Sequence, residues 1–170
     1  MGDGHFLVAC SRKGNFVKGV DVSDVVIGRL KPILRKEKIP VELSFGDARR
    51  LAFPDRVFDY VVSKDLIEHL PERDLQLHLR EVWRVLKPNG CYLIWTPSRL
   101  IGPSSLGAHL KEYTLSELLS EVKKAGFIPK VLNLHFYIFF RAVLYIPESL
   151  LSWLIKYEGV LARLLQKLRV

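Results

Sequence analysis

Three stretches place chemically useful residues where a ligand can be met. Near the start, Gly2 and Gly4 flank Asp3 in "GDGHF", and a short apolar run follows. Glycine lets backbone N–H groups approach a ligand closely, and a helix opened by such a turn adds the positive end of its dipole. A phosphate or carboxylate is favoured there, although Gly-x-Gly also makes an ordinary turn. Asp21, 17 residues beyond Gly4, closes the strand-like run "NFVKGVD". A carboxylate at that place can accept two hydrogen bonds from a ribose diol, or it can cap the helix that follows. Asp47 closes the next such run, in "GDARRLAFPD". It can accept from an adenine amino group, with the Ala48 N–H offered to a ring nitrogen, or it can hold a turn after Gly46. Each signal is weak by itself, and their regular recurrence at the ends of consecutive strands strengthens all of them.

The elements that must position these residues alternate along the chain. Residues 4–12 read as a short helix with Gly14 at its exit, and residues 15–21 as a strand. Residues 23–37 read as a helix capped by Ser23, with Val26, Leu30, Ile33 and Leu34 at helical spacing; Pro32 predicts a kink or interruption. "VELSFGD" (41–47) is the next strand, and residues 51–65 cross a turn into a buried strand centred on Tyr60–Val62. A helix over 72–86 aligns Leu75, Leu79, Val82 and Leu86, and "PNG" at 88–90 turns the chain. "CYLIWT" (91–96) reads as a strand apolar on both faces, as in the middle of a parallel sheet. Thr114 with Glu117 forms a capping box for a helix ending near Gly126, and residues 128–136 read as a further strand. Trp83 and Trp95 are expected in the core. The alternation predicts an open α/β fold, doubly wound around a mostly parallel sheet, with ligands beyond the carboxyl ends of the strands.

The 170 residues suffice for a core, and 49% hydrophobic with 26% charged residues is ordinary for a globular chain. Cys10 and Cys91 fall in a predicted core helix and core strand, which argues against a disulfide framework and for a reducing, cytoplasmic setting. No clustered Cys/His spacing marks a metal, and the N-terminus does not read as a signal peptide. The net charge of +8 is scattered rather than gathered beside aromatic residues, so a basic surface is favoured over a nucleic-acid site.

The chain resembles the class I S-adenosylmethionine-dependent methyltransferases of the small-molecule type. The likeness runs through "GDGHF", "GVDVS", "GDARRLAFPDRVFDYVVSKDLIEHLP", "LREVWRVLKPNGCYLIWTPSR" and "HLKEYTLSELLSEVKKAGF", over about residues 2–135. It implies a Rossmann-like sheet with helices on both faces and S-adenosyl-L-methionine as cofactor. Gly2 and Gly4 would line its methionine end, Asp21 would hold the ribose with Val22 against the adenine, and Asp47 and Ala48 would read the adenine edge. Ser63 and Lys64 would pass near the methionine moiety. A substrate nucleophile would attack the sulfonium methyl in line, with the protein aligning atoms and excluding water. A hydroxyl acceptor needs a base, and His69 and His109 are the candidates. The alternatives are that His69 only packs or caps a helix start and that His109 only orders its loop. The resemblance also implies that the loop carrying His109 and Tyr113 borders the substrate pocket. "TPSR" (96–99) lacks the signature of nucleobase amino-group methyltransferases.

Two departures stand out. The family's first strand, normally at the sheet centre, has no counterpart here, and each backbone group left buried and unpaired by its loss costs roughly 1–3 kcal/mol. That motivates an alternative function: a non-catalytic, truncated methyltransferase-like binding or partner subunit. The family also usually finishes with a short hairpin, whereas residues 136–170 read as an amphipathic helical extension of the methyltransferase-like region 1–135, in the same domain. From Ser149 onward, Leu150, Leu154, Leu161, Leu165 and Leu168 share a face, with Lys156, Arg163, Lys167 and Arg169 adding charge. Packing as a lid, a homodimer contact, and peripheral membrane contact through 149–170 are the alternatives. The expected partner is a small-molecule acceptor, with lipid-linked and glycan acceptors as finer forms.

Overall fold

The computed structural model describes residues 2, 4–97, 109–131, 135–138 and 142–145. It divides into two compact units, one of Met1–Lys64 with Leu77–Ile94 and one of Asp65–Gln76 with Trp95–Val170.

In the first unit, Gly4 opens helix α1 (His5–Arg12) from a left-handed conformation, φ 78°. A Cβ there would lie 3.0 Å from Leu30 Cδ2, so both backbone angle and space call for glycine. Strand β1 (Val17–Asp21) follows, then helix α2 (Asp24–Lys36) and strand β2 (Val41–Phe45). The Ser23 hydroxyl caps α2, accepting from Val26 N at 3.4 Å. The helix runs through Pro32 without the expected interruption. Pro32 and Gly28 are both exposed, so the carbonyl left without its helical donor faces water. β1 and β2 pair in parallel, with Val17 opposite Val41 and Asp21 opposite Phe45. Ile27, Leu30 and Leu34 of α2 pack with Leu43 of β2 into a core flanked by Leu7 and Val8 of α1.

Strand β3 (Phe58–Lys64), helix α3 (Glu72–Val85) and strand β4 (Leu86–Trp95) come next. Leu75, Leu79, Val82 and Leu86 are all buried, as their spacing predicts. β4 starts earlier than expected and absorbs the "PNG" segment. Asn89 takes φ 64°, and a Cβ on Gly90 would sit 2.9 Å from the Lys87 carbonyl oxygen. β3 pairs with β4, and β1 pairs with β2 alone. Among the described residues these are two separate sheets, as expected if no strand lies between them. Two-stranded sheets leave much of their surface open. Tyr60 of β3 is 67% exposed, Trp95 62% and Trp83 54%, and Cys91 is exposed, so the expected two-sided burial of β3 and β4 and the core placement of both tryptophans and of Cys91 are corrected. Apolar type alone does not secure burial.

In the second unit, a 3-10 turn (Ile67–His69) precedes α3, and helix α4 (Leu115–Lys124) starts with the expected capping box. Thr114 Oγ1 accepts from Glu117 N at 3.2 Å, and Glu117 Oε2 accepts from Thr114 N at 2.9 Å. Residues 128–131 are not strand; strand β5 is His135–Ile138, and it pairs antiparallel with strand β6 (Ala142–Tyr145). The chain therefore has a hairpin where the sequence suggested none. The amphipathic segment 149–170 lies outside the described residues. Among the described residues, no helix is long and apolar enough to cross a membrane.

Candidate functional site

The parallel register sets the acids at one end of the β1–β2 pair. Asp21 ends β1 opposite Phe45, and Asp47 follows Phe45 by two residues. The Gly46 N–H donates to the Asp21 carbonyl at 3.0 Å, which holds the two strand ends together. Asp21 Oδ1 accepts from Ser23 N at 2.9 Å, so this carboxylate also shapes the entry to α2, whose cap is Ser23. Val22 beside it is 71% exposed. Asp47 is more heavily engaged. Both its oxygens accept from Arg49, through Nε at 2.9 and 3.0 Å and Nη2 at 2.6 Å, and these bonds hold its carboxyl below the usual range. Gly2 (φ 56°) receives Arg29 Nη2 at its carbonyl, 3.3 Å away.

A hollow of about 340 Å³ opens beside Gly4, between α1 and α2, lined by His5, Leu7, Val8, Arg29, Leu30, Ile33 and Leu34. Neither Asp21 nor Asp47 lines it. Its walls are mostly aliphatic.

A buried polar chain runs behind the strand ends, and sequence reasoning found only one of its side chains. His78 Nδ1 donates to the Ala48 carbonyl at 2.8 Å, which places the imidazole lone pair on Nε2. Ser63 Oγ lies 3.1 Å and Tyr92 OH 2.9 Å from that nitrogen, and Tyr92 OH donates to Ser63 Oγ at 2.9 Å. Ser63 can then donate to His78, and the chain ends at Ala48. Burial holds His78 below its ordinary pKa and pushes the Tyr92 hydroxyl up. Ser63 is therefore tied by its hydroxyl into this chain, while Lys64 beside it is exposed. The readable signal was a histidine three residues after Leu75 and four before Val82, on the apolar face of α3. Nearby, Arg84 joins Glu81 and Asp55 at 2.7–2.8 Å and donates to the carbonyls of Leu51 and Phe53. This pins the "RLAFPD" turn to α3.

The second unit gathers both candidate bases. The His69 and His109 rings stand edge to face, 5.1 Å between centroids. His109 Nδ1 donates to Glu112 Oε1 at 2.6 Å. Glu68, 1% exposed, accepts from Thr96 Oγ1 at 2.9 Å through Oε2, while Oε1 has no hydrogen-bond partner among the described residues. Tyr113 is 2% exposed, and burial pushes its hydroxyl up to about 12.

A family profile described as a methyltransferase domain matches residues 1–90. Phosphoethanolamine N-methyltransferase 2 of Caenorhabditis elegans is 31% identical over 125 residues, 68% of this chain and 28% of that protein. A demethylmenaquinone methyltransferase of Listeria monocytogenes is 41% identical over 76 residues, 44% of this chain and 31% of that protein. The chain thus spans less than half the length of these curated relatives. Among solved structures, the PH0226 protein of Pyrococcus horikoshii is 32% identical, with TM-score 0.55 over 73% of this chain and 48% of its own. The YcgJ protein of Bacillus subtilis shares the fold, with 24% identity and TM-score 0.67 over 93% of this chain and 68% of its own.

Proposed function

We propose that this chain, which belongs to the class I S-adenosylmethionine-dependent methyltransferases, serves to move the cofactor's methyl group to a small-molecule acceptor. The observation that carries this reading is the parallel register that puts Asp21 and the Asp47 turn at one end of adjacent strands. When bound, the cofactor supplies a methyl on cationic sulfur, already activated toward a nucleophile.

The donor set fits such a group. Asp21 spends one oxygen on Ser23 N, and a carboxylate has further lone pairs for ribose hydroxyls. Val22 offers exposed apolar surface to an adenine ring. Ala48 has its carbonyl held by His78, which fixes the peptide whose neighbour N–H would read a ring nitrogen. Asp47 serves an adenine amino group once the Arg49 guanidinium swings aside. Gly2 and Gly4 take the methionine end, with the backbone of Ser63 and Lys64. On the acceptor side, His69 and His109 are the groups assigned to remove a hydroxyl proton, and Tyr113 shapes the acceptor loop. Lipid-linked and glycan acceptors are the finer form, drawn from the apolar and basic pattern of 149–170.

Calorimetric titration with S-adenosylhomocysteine tests the reading. Saturable binding is expected, weakened at least tenfold by Asp21→Ala. Absence of saturable heat overturns it in favour of a second reading, which the separate β1–β2 and β3–β4 pairs favour: a non-catalytic partner subunit that binds another chain.

A further inference from the structure

We infer that Glu68, His69 and His109 form a binding site for a borderline divalent cation of the zinc class. One ligating atom from each lies within 4.8 Å of the others. The buried Glu68 side chain supplies an independent reason. Its Oε2 is bonded to Thr96, whereas Oε1 is buried with no hydrogen-bond partner among the described residues. A buried carboxylate oxygen in that condition calls for a proton or a cation.

The surroundings are those of a ligand set. The Glu68 carbonyl accepts from Leu110 N at 2.8 Å and Lys111 N at 3.2 Å, so the backbone itself joins the Glu68–His69 turn to the His109 segment. Glu112 accepts the His109 Nδ1 proton at 2.6 Å and is 6% exposed at its side chain. That bond fixes the tautomer with the lone pair on Nε2, the second-sphere arrangement that orients metal-binding imidazoles. Two imidazoles with one carboxylate suit zinc and its neighbours, whereas calcium and magnesium favour all-oxygen sets. Ligand atoms on a tetrahedral zinc ion stand about 3.4 Å apart, given bonds of ~2.0–2.2 Å. His69 is exposed, and closing from 4.8 Å to that spacing asks its ring to turn toward the ion on binding. Three protein ligands leave a coordination position for an outside oxygen or nitrogen. With the ion bound the imidazole lone pairs are occupied, so the proton-accepting role proposed above belongs to the ion-free chain.

The site does not depend on methyl transfer, and its test needs no cofactor. The purified chain, stripped with EDTA and dialysed, is titrated with zinc chloride by calorimetry and with cobalt chloride by visible absorption. One ion per chain is expected, with cobalt bands in the visible. Glu68→Gln, His69→Ala and His109→Ala should each weaken zinc at least tenfold, and His5→Ala should leave it unchanged. His69 is exposed, so its truncation keeps the fold and the test open even where the Glu68 variant misfolds. No saturable binding, or stoichiometric binding that survives the His69 and His109 substitutions, overturns the assignment.

Discussion

His78 in the first unit and the His69–His109 pair in the second each sit in a polar cluster, the first of hydroxyls and a backbone carbonyl, the second with the carboxylates of Glu68 and Glu112. At His78, one ring nitrogen donates to the Ala48 carbonyl, the other is met by the hydroxyls of Ser63 and Tyr92, and those hydroxyls meet each other. At His109, the orienting bond to Glu112 is shorter, 2.6 Å against 2.8 Å, but the adjoining Glu68 keeps a buried oxygen with no hydrogen-bond partner among the described residues. A closed chain of donors and acceptors rigidifies what it touches. An open one leaves capacity for something else. The difference separates a histidine that holds structure from histidines that hold a ligand, and residue type alone would not have made the distinction.

Several substitutions sharpen or break that contrast. The largest effect is expected for His78→Ala, which takes the shared partner from the Ser63 hydroxyl and the Ala48 carbonyl at once, while the Tyr92–Ser63 bond stays. Urea denaturation should show a loss of about 3 kcal/mol, on the scale of ~1–3 kcal/mol per stranded group. A loss below 1 kcal/mol would mean that water replaces the network without penalty.

The pH dependence comes next. Burial lowers the folded pKa of His78 from 6.5. The unfolded chain therefore binds the proton more readily, so the stability due to neutral His78 is full above pH 6.5 and is lost as pH falls below it, by at most about 1.4 kcal/mol per pH unit. The urea midpoint should drop between pH 7.5 and 5.5 in the parent, and His78→Phe should remove most of that drop. An unchanged slope in the variant would assign the titration elsewhere.

Glu68→Gln should act in the opposite sense from His78→Ala. It keeps an acceptor for Thr96 and removes an incompletely paired buried carboxylate, so the metal-free chain should gain about 1 kcal/mol. A loss of that size instead would make Glu68 a structural residue and dissolve the contrast.

The smallest stability effect is expected for Arg49→Ala, within about 0.5 kcal/mol because the Asp47 pair is substantially exposed. The same substitution takes the guanidinium off the Asp47 carboxylate and leaves the residue-49 backbone N–H on Oδ1, so S-adenosylhomocysteine should bind several-fold tighter by calorimetry. Weaker binding would show that Arg49 contributes to the site rather than competing for it.

Local rules made much of this legible. Ser23 and the Thr114–Glu117 box marked helix starts, and the 75–79–82–86 stripe marked a buried face. Asp21 and Asp47 were readable because strand ends announce themselves. The His78 chain was not, since its partners lie 14 to 30 residues away and only tertiary structure brings them together. Trp83 and Trp95 failed for the converse reason: whether an aromatic is covered depends on what packs on it, which local pattern does not encode. The hairpin of β5 and β6 was missed because its apolar residues blend into the longer apolar stretch that follows Ile128. Glu68 and His69 appeared as part of a family motif, but the orphaned oxygen is a property of space.

The separation of β1–β2 from β3–β4 reaches beyond the Asp21–Asp47 end. Two-stranded ribbons are marginal by themselves and depend on what packs against them; for β1–β2 that support includes α2 through Ile27, Leu30 and Leu34. No backbone ladder among the described residues carries an opening of one ribbon into the other. Amide protons of Val17–Asp21 and of Phe58–Lys64 should therefore exchange with solvent as two independent blocks, each at its own rate.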